Sequence, residues 1–195
     1  AATLAWLKNQ LGLFNDFAEV EAMAEAVEDN GGVYLVPAFT GLGLPYWKGD
    51  AKAAIVGLSP QSDRRHVVRA GLESIAYQVR DALDAMRVEA GLTLKGLKAD
   101  GGATANGFLM QLVADLCGVE LSVAAMPECS PLGATMAGML GMGIVASPER
   151  FSSIASKSFL PESRVPAASE LLHGWHAAVE QTIGKKKEFP VDPRL

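Results

Sequence analysis

The sequence is poor in the residues that usually announce chemistry. It has two cysteines, Cys117 and Cys129, too few for a disulfide framework or a thiolate metal cluster. Its three histidines, at 66, 173 and 176, fall in no zinc-ligand spacing, so no metal site is expected. Basic residues are in deficit, 17 against 22 acidic ones, for a net charge of −5. No cationic surplus exists to neutralise phosphates, which argues against a nucleic-acid partner. The longest uncharged run, CSPLGATMAGMLGMGIVASP (129–148), is rich in glycine and small residues. Its apolar core is too weak to span a bilayer, and it reads as a buried helix, so no membrane association is expected. No signal peptide is visible, and a cytoplasmic location is expected. There is no Walker A pattern, no G-x-S-x-G, no strand followed by G-x-G-x-x-G, and no compelling pair of carboxylates. Covalent catalysis by a residue of this chain has no candidate.

What is present is an ordinary globular composition with strong patterning. Nearly half of the 195 residues are apolar and a fifth are charged. Leu4, Leu7 and Leu11 predict a helix over 2–13, ended by Gly12, and an acidic helix is expected over 16–28. VYLVPAF (33–39) reads as a buried strand. TGLGLPYWKGDAKA (40–53) reads as a loop, either held down by Tyr46 and Trp47 or facing a ligand. A brief strand follows, then the longest helix, about 63–89, with Ser62 as its cap and Asp63 at the positive end of its dipole. Val68, Leu72, Ile75, Ala76, Val79, Leu83 and Met86 form its apolar stripe. The pairs Arg69/Glu73 and Arg80/Asp84 are placed on its solvated surface.

From residue 95 to 142 the order is strand, helix, strand, helix, which builds parallel sheet with helices on its faces. The helix at 106–117 is apolar along Phe108, Leu109, Leu112, Val113 and Leu116. Ser130-Pro131 opens the next, on which Gly133, Ala137 and Gly141 imply close packing. A short helix near 148–154 and an amphipathic one near 165–184 complete the chain, the latter with Leu171, Leu172, Trp175, Val179 and Ile183 as its stripe.

The segment KADGGATANGF (98–108) raises the functional question. Gly101-Gly102 closes a strand just before a helix, where ligands of open α/β sheets bind. Without Cβ atoms the backbone is open to direct approach, and the helix start favours phosphate or polar groups. Asn106 either caps the helix or offers its amide to a ligand. On the residues alone, plain turn and ligand site both stand.

Four segments in order, VPAFTGLGLPYW (36–47), IVGLSPQSDRRHVVRAGLESIAYQVRD (55–81), KADGGATANGFLMQLVADLCGVEL (98–121) and SPLGATMAGMLGMG (130–143), resemble the C-terminal half of FGGY carbohydrate kinases, most closely the glycerol kinases. The resemblance implies an actin-like, ribonuclease H-like domain: a mixed sheet with helices on both faces, here without its opening strands. Residues 1–195 would be the C-terminal nucleotide-binding domain of a two-domain kinase, the substrate domain and its aspartate base lying outside the chain. The chain's start, without Met and in mid-helix, is expected of a fragment. The implied activity is transfer of the ATP γ-phosphoryl group, with Mg²⁺, to a hydroxyl of glycerol or a related polyol. Alternatives are an FGGY kinase for xylulose, ribulose or erythritol, and a non-catalytic actin-like nucleotide-binding module. A homo-oligomer is expected, and the isolated chain is expected to be inactive.

Carried over by position, Gly102 and Asn106 match family residues that contact adenosine, and Gly101 supports their turn. Ala1 and Ala5 stand where the family's G-x-x-x-Gln-Trp-Leu element brings Gly and Gln to the nucleotide. Ala5 cannot donate that amide hydrogen bond. A further departure follows Pro45-Tyr46-Trp47: glycerol kinases usually continue Asp-Pro-x-Ala-Arg-Gly, whereas this chain reads Lys48-Gly49-Asp50-Ala51-Lys52-Ala53. That change makes a substrate other than glycerol more plausible.

Overall fold

A computed structural model describes residues 2–91, 93–126, 129–147, 155–162 and 165–184. In chain order its elements are α1 (Ala2–Asn9), α2 (Glu19–Glu25), β1 (Tyr34–Val36), β2 (Ala54–Val56), α3 (Arg64–Ala90), β3 (Leu97–Ala99), a 3₁₀ turn (Gly102–Ala105), α4 (Gly107–Cys117), β4 (Leu121–Ala124), α5 (Cys129–Gly141), β5 (Ala155–Phe159) and α6 (Val165–Ile183). The expected short helix at 148–154 lies outside the described residues.

The β3–β4 pair is parallel, with Leu97 opposite Leu121, and α4 crosses over between them. β5 adds antiparallel on the far side of β4, so the sheet is mixed. β1 and β2 form a separate antiparallel ribbon, with Tyr34 opposite Val56.

Helix α3 organises the molecule, packing against α1, α2, α4, α6 and β1. Its start is fixed by Asp63, not Ser62. The Asp63 carboxylate accepts from the Arg65 and His66 amides, and the Asp63 amide donates to His66 Nδ1. Ser62 is turned the other way, where its hydroxyl accepts from the Ser59 amide. A carboxylate at the helix start satisfies two otherwise orphan donors and faces the positive dipole end, so the stronger acceptor takes the cap.

The apolar stripe of α3 is present and wider than its spacing indicates. Val68, Leu72, Ala76 and also Ala70 and Tyr77 are buried, while Met86 is exposed. Because partners surround the helix, its charges are not all solvated: Glu73 is fully buried and Asp81 nearly so. Burial of charge is tolerated because each is hydrogen-bonded. Glu73 receives Arg69 Nε at 2.8 Å, Asn30 Nδ2 at 3.0 Å and the Tyr77 hydroxyl at 2.8 Å. Arg69 also donates to the carbonyls of Ala24 and Val27, which ties the end of α2 to α3. Arg80/Asp84 stays half-exposed, as its surface position predicts, and Arg80 also reaches the Leu116 carbonyl at the end of α4.

Tyr46 answers half of the question posed by the 40–53 loop. Its hydroxyl donates to Asp81 Oδ2 at 2.6 Å, beside Trp175 Nε1 at 2.7 Å on the same oxygen, while His176 Nε2 lies 2.9 Å from Oδ1. Tyr46 therefore pins the loop, whereas Trp47 is 74% exposed and holds nothing down.

Other boundaries are shorter than the periodicity predicts. α1 ends at Asn9 and leaves Leu11 exposed; α2 covers only Glu19–Glu25. α5 buries none of its residues, and a Cβ added at Gly133 or Gly141 would meet nothing within 4 Å. The expected close packing on that face is thus absent among the described residues. The core lies between α3, α4, α6 and the strands, with Leu7, Leu72, Tyr77, Leu109, Leu116 and Trp175 fully enclosed. Each such side chain contributes on the order of 1.5–3 kcal/mol.

Candidate functional site

β3 ends at Ala99, and the chain leaves it through Asp100-Gly101-Gly102. Gly101 has φ +92, a conformation that side chains rarely adopt, and so explains one of the two glycines by backbone geometry alone. Its carbonyl accepts from the Thr104 amide at 3.0 Å and from the Thr104 hydroxyl at 2.7 Å, closing the 3₁₀ turn. Asp100 is spent in the other direction, accepting from the Cys129 amide at the start of α5.

Asn106 ends the 3₁₀ turn and begins α4. Its Oδ1 accepts from the Leu109 amide at 2.8 Å, a conventional N-cap. No described residue accepts from its Nδ2, which leaves two donors for a ligand. Cap and ligand contact, which the residues alone leave as alternatives, are compatible in one side chain.

The Phe108 amide, next in α4, donates to Glu21 Oε1 at 2.9 Å. That contact joins α2 to the start of α4 across 87 positions of sequence, and no local pattern announces it. Together these residues border a cleft of about 720 Å³, within the usual range of ligand pockets. Leu4, Phe17, Val20, Leu72 and Leu109 give it apolar surface; Gly102, Asn106 and Glu21 line it too. Such a lining suits a flat heteroaromatic group with a few polar edges.

The five residues expected at the nucleotide do not all meet here. Gly102 and Asn106 line the cleft; Gly101 shapes the turn that presents them. Ala5 lies in α1 beside Leu4, which reaches the cleft, while Ala5 is not among the residues lining it. Ala1 lies outside the described residues. Among the described residues no group of three or more His, Cys, Asp or Glu side chains is placed to hold a metal ion, so none forms a Mg²⁺ cage. No helix of the described residues is long and apolar enough to cross a membrane.

A second cleft, of about 430 Å³, is bordered by Asn30, Tyr34, Arg69, Glu73, Phe108 and Leu171 among others. Its central charges are already committed to each other and to backbone carbonyls. Burial, with the charges of Glu73 and Asp29 adding, raises the Tyr34 hydroxyl above its ordinary pKa. These features lock α2 and β1 to α3.

Residues 1–142 match the FGGY family of carbohydrate kinases, C-terminal domain. Among curated proteins the chain is 47% identical over 184 residues to a glycerol kinase of Shewanella sediminis, covering 93% of this chain and 37% of that protein. It is 43% identical over 189 residues to a glycerol kinase of Clostridium beijerinckii, covering 96% and 38%. The chain thus spans little more than a third of the length of the curated relatives it matches. Among solved structures, a Plasmodium falciparum glycerol kinase with ADP superposes with a TM-score of 0.84 at 31% identity, covering 94% of this chain and 37% of that one. A xylulose kinase from Brucella ovis gives a TM-score of 0.79 at 22% identity, over 92% and 37%, a likeness of fold alone.

Proposed function

The chain belongs to the FGGY family of carbohydrate kinases, whose C-terminal domain it carries, and from that premise we propose that residues 1–195 are the nucleotide-holding half of an ATP-dependent polyol kinase. The observation that supports this reading most is the convergence of Gly102 and Asn106 on one cleft of nucleotide size beyond the end of β3. Asn106 Nδ2 and the open backbone at Gly102 would hold the adenosine portion, with the apolar surface around Leu4, Leu72 and Leu109 against the base. Gly102 admits a ligand close to the main chain, since a Cβ there would meet only open space.

The reaction proposed for the whole protein is transfer of the ATP γ-phosphoryl group to a hydroxyl of glycerol or a related polyol. Mg²⁺ would be carried on the nucleotide's phosphates, where it neutralises charge. Phosphoryl transfer relies on positioning and charge stabilisation rather than covalent work by the protein. This chain's part is then to bind and orient the nucleotide and to shield it from water. The acid–base group that receives the hydroxyl proton belongs to the family's other half, as the resemblance implies.

A second substrate reading rests on a specific feature: the loop after Trp47 replaces the usual acid, proline and arginine with Lys48-Gly49-Asp50-Ala51-Lys52-Ala53. That segment leaves a turn over 42–48 that is closed by the Leu42 and Lys48 amide–carbonyl pair, both bonds at 2.8 Å. The test is to rank kcat/KM for glycerol, erythritol, ribitol and xylulose with the full-length protein, and to assay this chain alone with ATP, Mg²⁺ and glycerol. The expected outcome is highest kcat/KM for glycerol and no turnover above background by the chain alone. Absence of kinase activity toward all four substrates would favour a non-catalytic nucleotide-binding module.

A further inference from the structure

We propose that Glu21 sets the base specificity of the cleft, its free carboxylate oxygen accepting the exocyclic 6-amino group of adenine. The inference rests on the nucleotide reading above and goes beyond it by naming the residue that selects the base.

Glu21 is the one charged side chain among the described residues lining the cleft. It comes from α2, remote in sequence from the glycine turn, and its position there is fixed at one atom. Oε1 accepts from the Phe108 amide at 2.9 Å. A Cβ at Gly107 would lie only 2.9 Å from that oxygen, so the glycine makes room for the carboxylate against the backbone. Lys157 comes near the same point, 3.8 Å from that Cβ position, but its ammonium sits over the Phe159 ring at 4.5 Å. No described ion pair joins it to Glu21. One carboxylate oxygen is therefore bound and the other has no described partner.

A carboxylate can only accept. One free oxygen matches a ring that offers one exocyclic amine at that edge, as adenine does. A 6-oxo purine would instead bring its own acceptor against that oxygen, setting two acceptors face to face where adenine makes a hydrogen bond. Asn106 Nδ2 supplies the complementary donors for the ring nitrogens. Sites built on a buried hydrogen bond reject analogues that lack the partner more strongly than apolar pockets reject a shape change.

The pinned oxygen makes the conservative substitution informative. In Glu21→Gln the amide oxygen can keep the Phe108 bond, which turns the NH₂ group toward the cleft and reverses the polarity of the recognising atom. The test is calorimetric titration of the 195-residue chain with ADP, inosine diphosphate and purine riboside diphosphate, before and after this substitution, with thermal melts of both proteins. On the unmodified chain ADP should bind about tenfold or more tighter than either analogue, the equivalent of one well-made hydrogen bond. Glu21→Gln should lower the ADP-to-inosine-diphosphate preference at least about tenfold with the melt unchanged. Equal binding of the three ligands to the unmodified chain overturns the proposal, and so does an unchanged ratio in a folded Glu21→Gln protein. If that variant fails to fold, the three titrations of the unmodified chain decide. Binding of ADP without discrimination defeats this inference alone, whereas binding of none of the three defeats the nucleotide reading and this inference with it.

Discussion

Asn106 divides one side chain between the protein and the cleft. Oδ1 completes the first turn of α4, and Nδ2 remains for a ligand. The two roles separate on substitution. Asn106→Asp preserves the cap, since aspartate caps as well as asparagine and suits the helix dipole, but it replaces two donors with an acceptor. We expect ADP affinity to fall about tenfold or more while the melting temperature holds or rises; calorimetry and a thermal melt on the same samples check it. A parallel loss of both would mean that the side chain matters to folding only. Cys117 is a contrasting case. Burial pushes the Cys117 thiol up to about 11, with the charge of Asp84 also raising it while Arg80 and Arg87 oppose. A thiol so protonated and enclosed is a core side chain and no nucleophile.

At the scale of elements, α3 is where buried polar groups and tyrosines meet. The chain has three tyrosines, and the environment raises all of them. Burial is the main cause for Tyr77 and Tyr46. The charge of Glu73 adds for Tyr77, and the hydrogen bond to Asp81 adds for Tyr46. Tyrosine is neutral below its pKa, so a value raised on folding stabilises the native state fully below the unfolded value near 10. That contribution is lost as pH rises toward the folded values. Absorbance at 295 nm should therefore show Tyr46 and Tyr77 still protonated through pH 10 in the folded chain. Their ionisation should appear together with loss of near-ultraviolet circular dichroism. Ionisation of either near pH 10 with the tertiary signal intact would contradict the packing described around Glu73 and Asp81.

The elements also show what could be read in advance. Strand, helix and strand from 97 to 124, and the apolar stripes of α3, α4 and α6, follow from periodicity because each has one persistent buried face. The Gly101-Gly102 turn was legible as a strand end facing a helix start. Its place at a cleft, with Asn106, emerged from the family resemblance rather than from spacing. The Arg69/Glu73 pair is legible from its spacing of four, but its burial, the Asn30 bond to Glu73, the Asp81 hub and the Glu21 contact are not, because those partners lie 35 to 95 residues away and pairing at that range leaves no local pattern. The cap was misplaced by one residue, from Asp63 to Ser62, because both types cap helices and only the backbone direction distinguishes them. The small-residue face of α5 called for close packing that no described residue supplies.

The whole molecule joins these levels. A sheet edge ends in a glycine turn, and the turn starts a helix capped by Asn106 and clamped by Glu21. The cleft they border lies beside α1 and α3, in a domain that covers 37% of its curated relatives' length. The proposed role of this cleft is to hold an adenine nucleotide. The most direct test is an ADP titration of the isotopically labelled chain followed by amide and side-chain NMR. Saturable shifts should centre on Gly101, Gly102 and the Asn106 side-chain amide and extend to Leu4, Glu21 and Leu109. Shifts centred instead on the cleft around Arg69 and Leu171, or no shift at millimolar ADP in a folded chain, would contradict it.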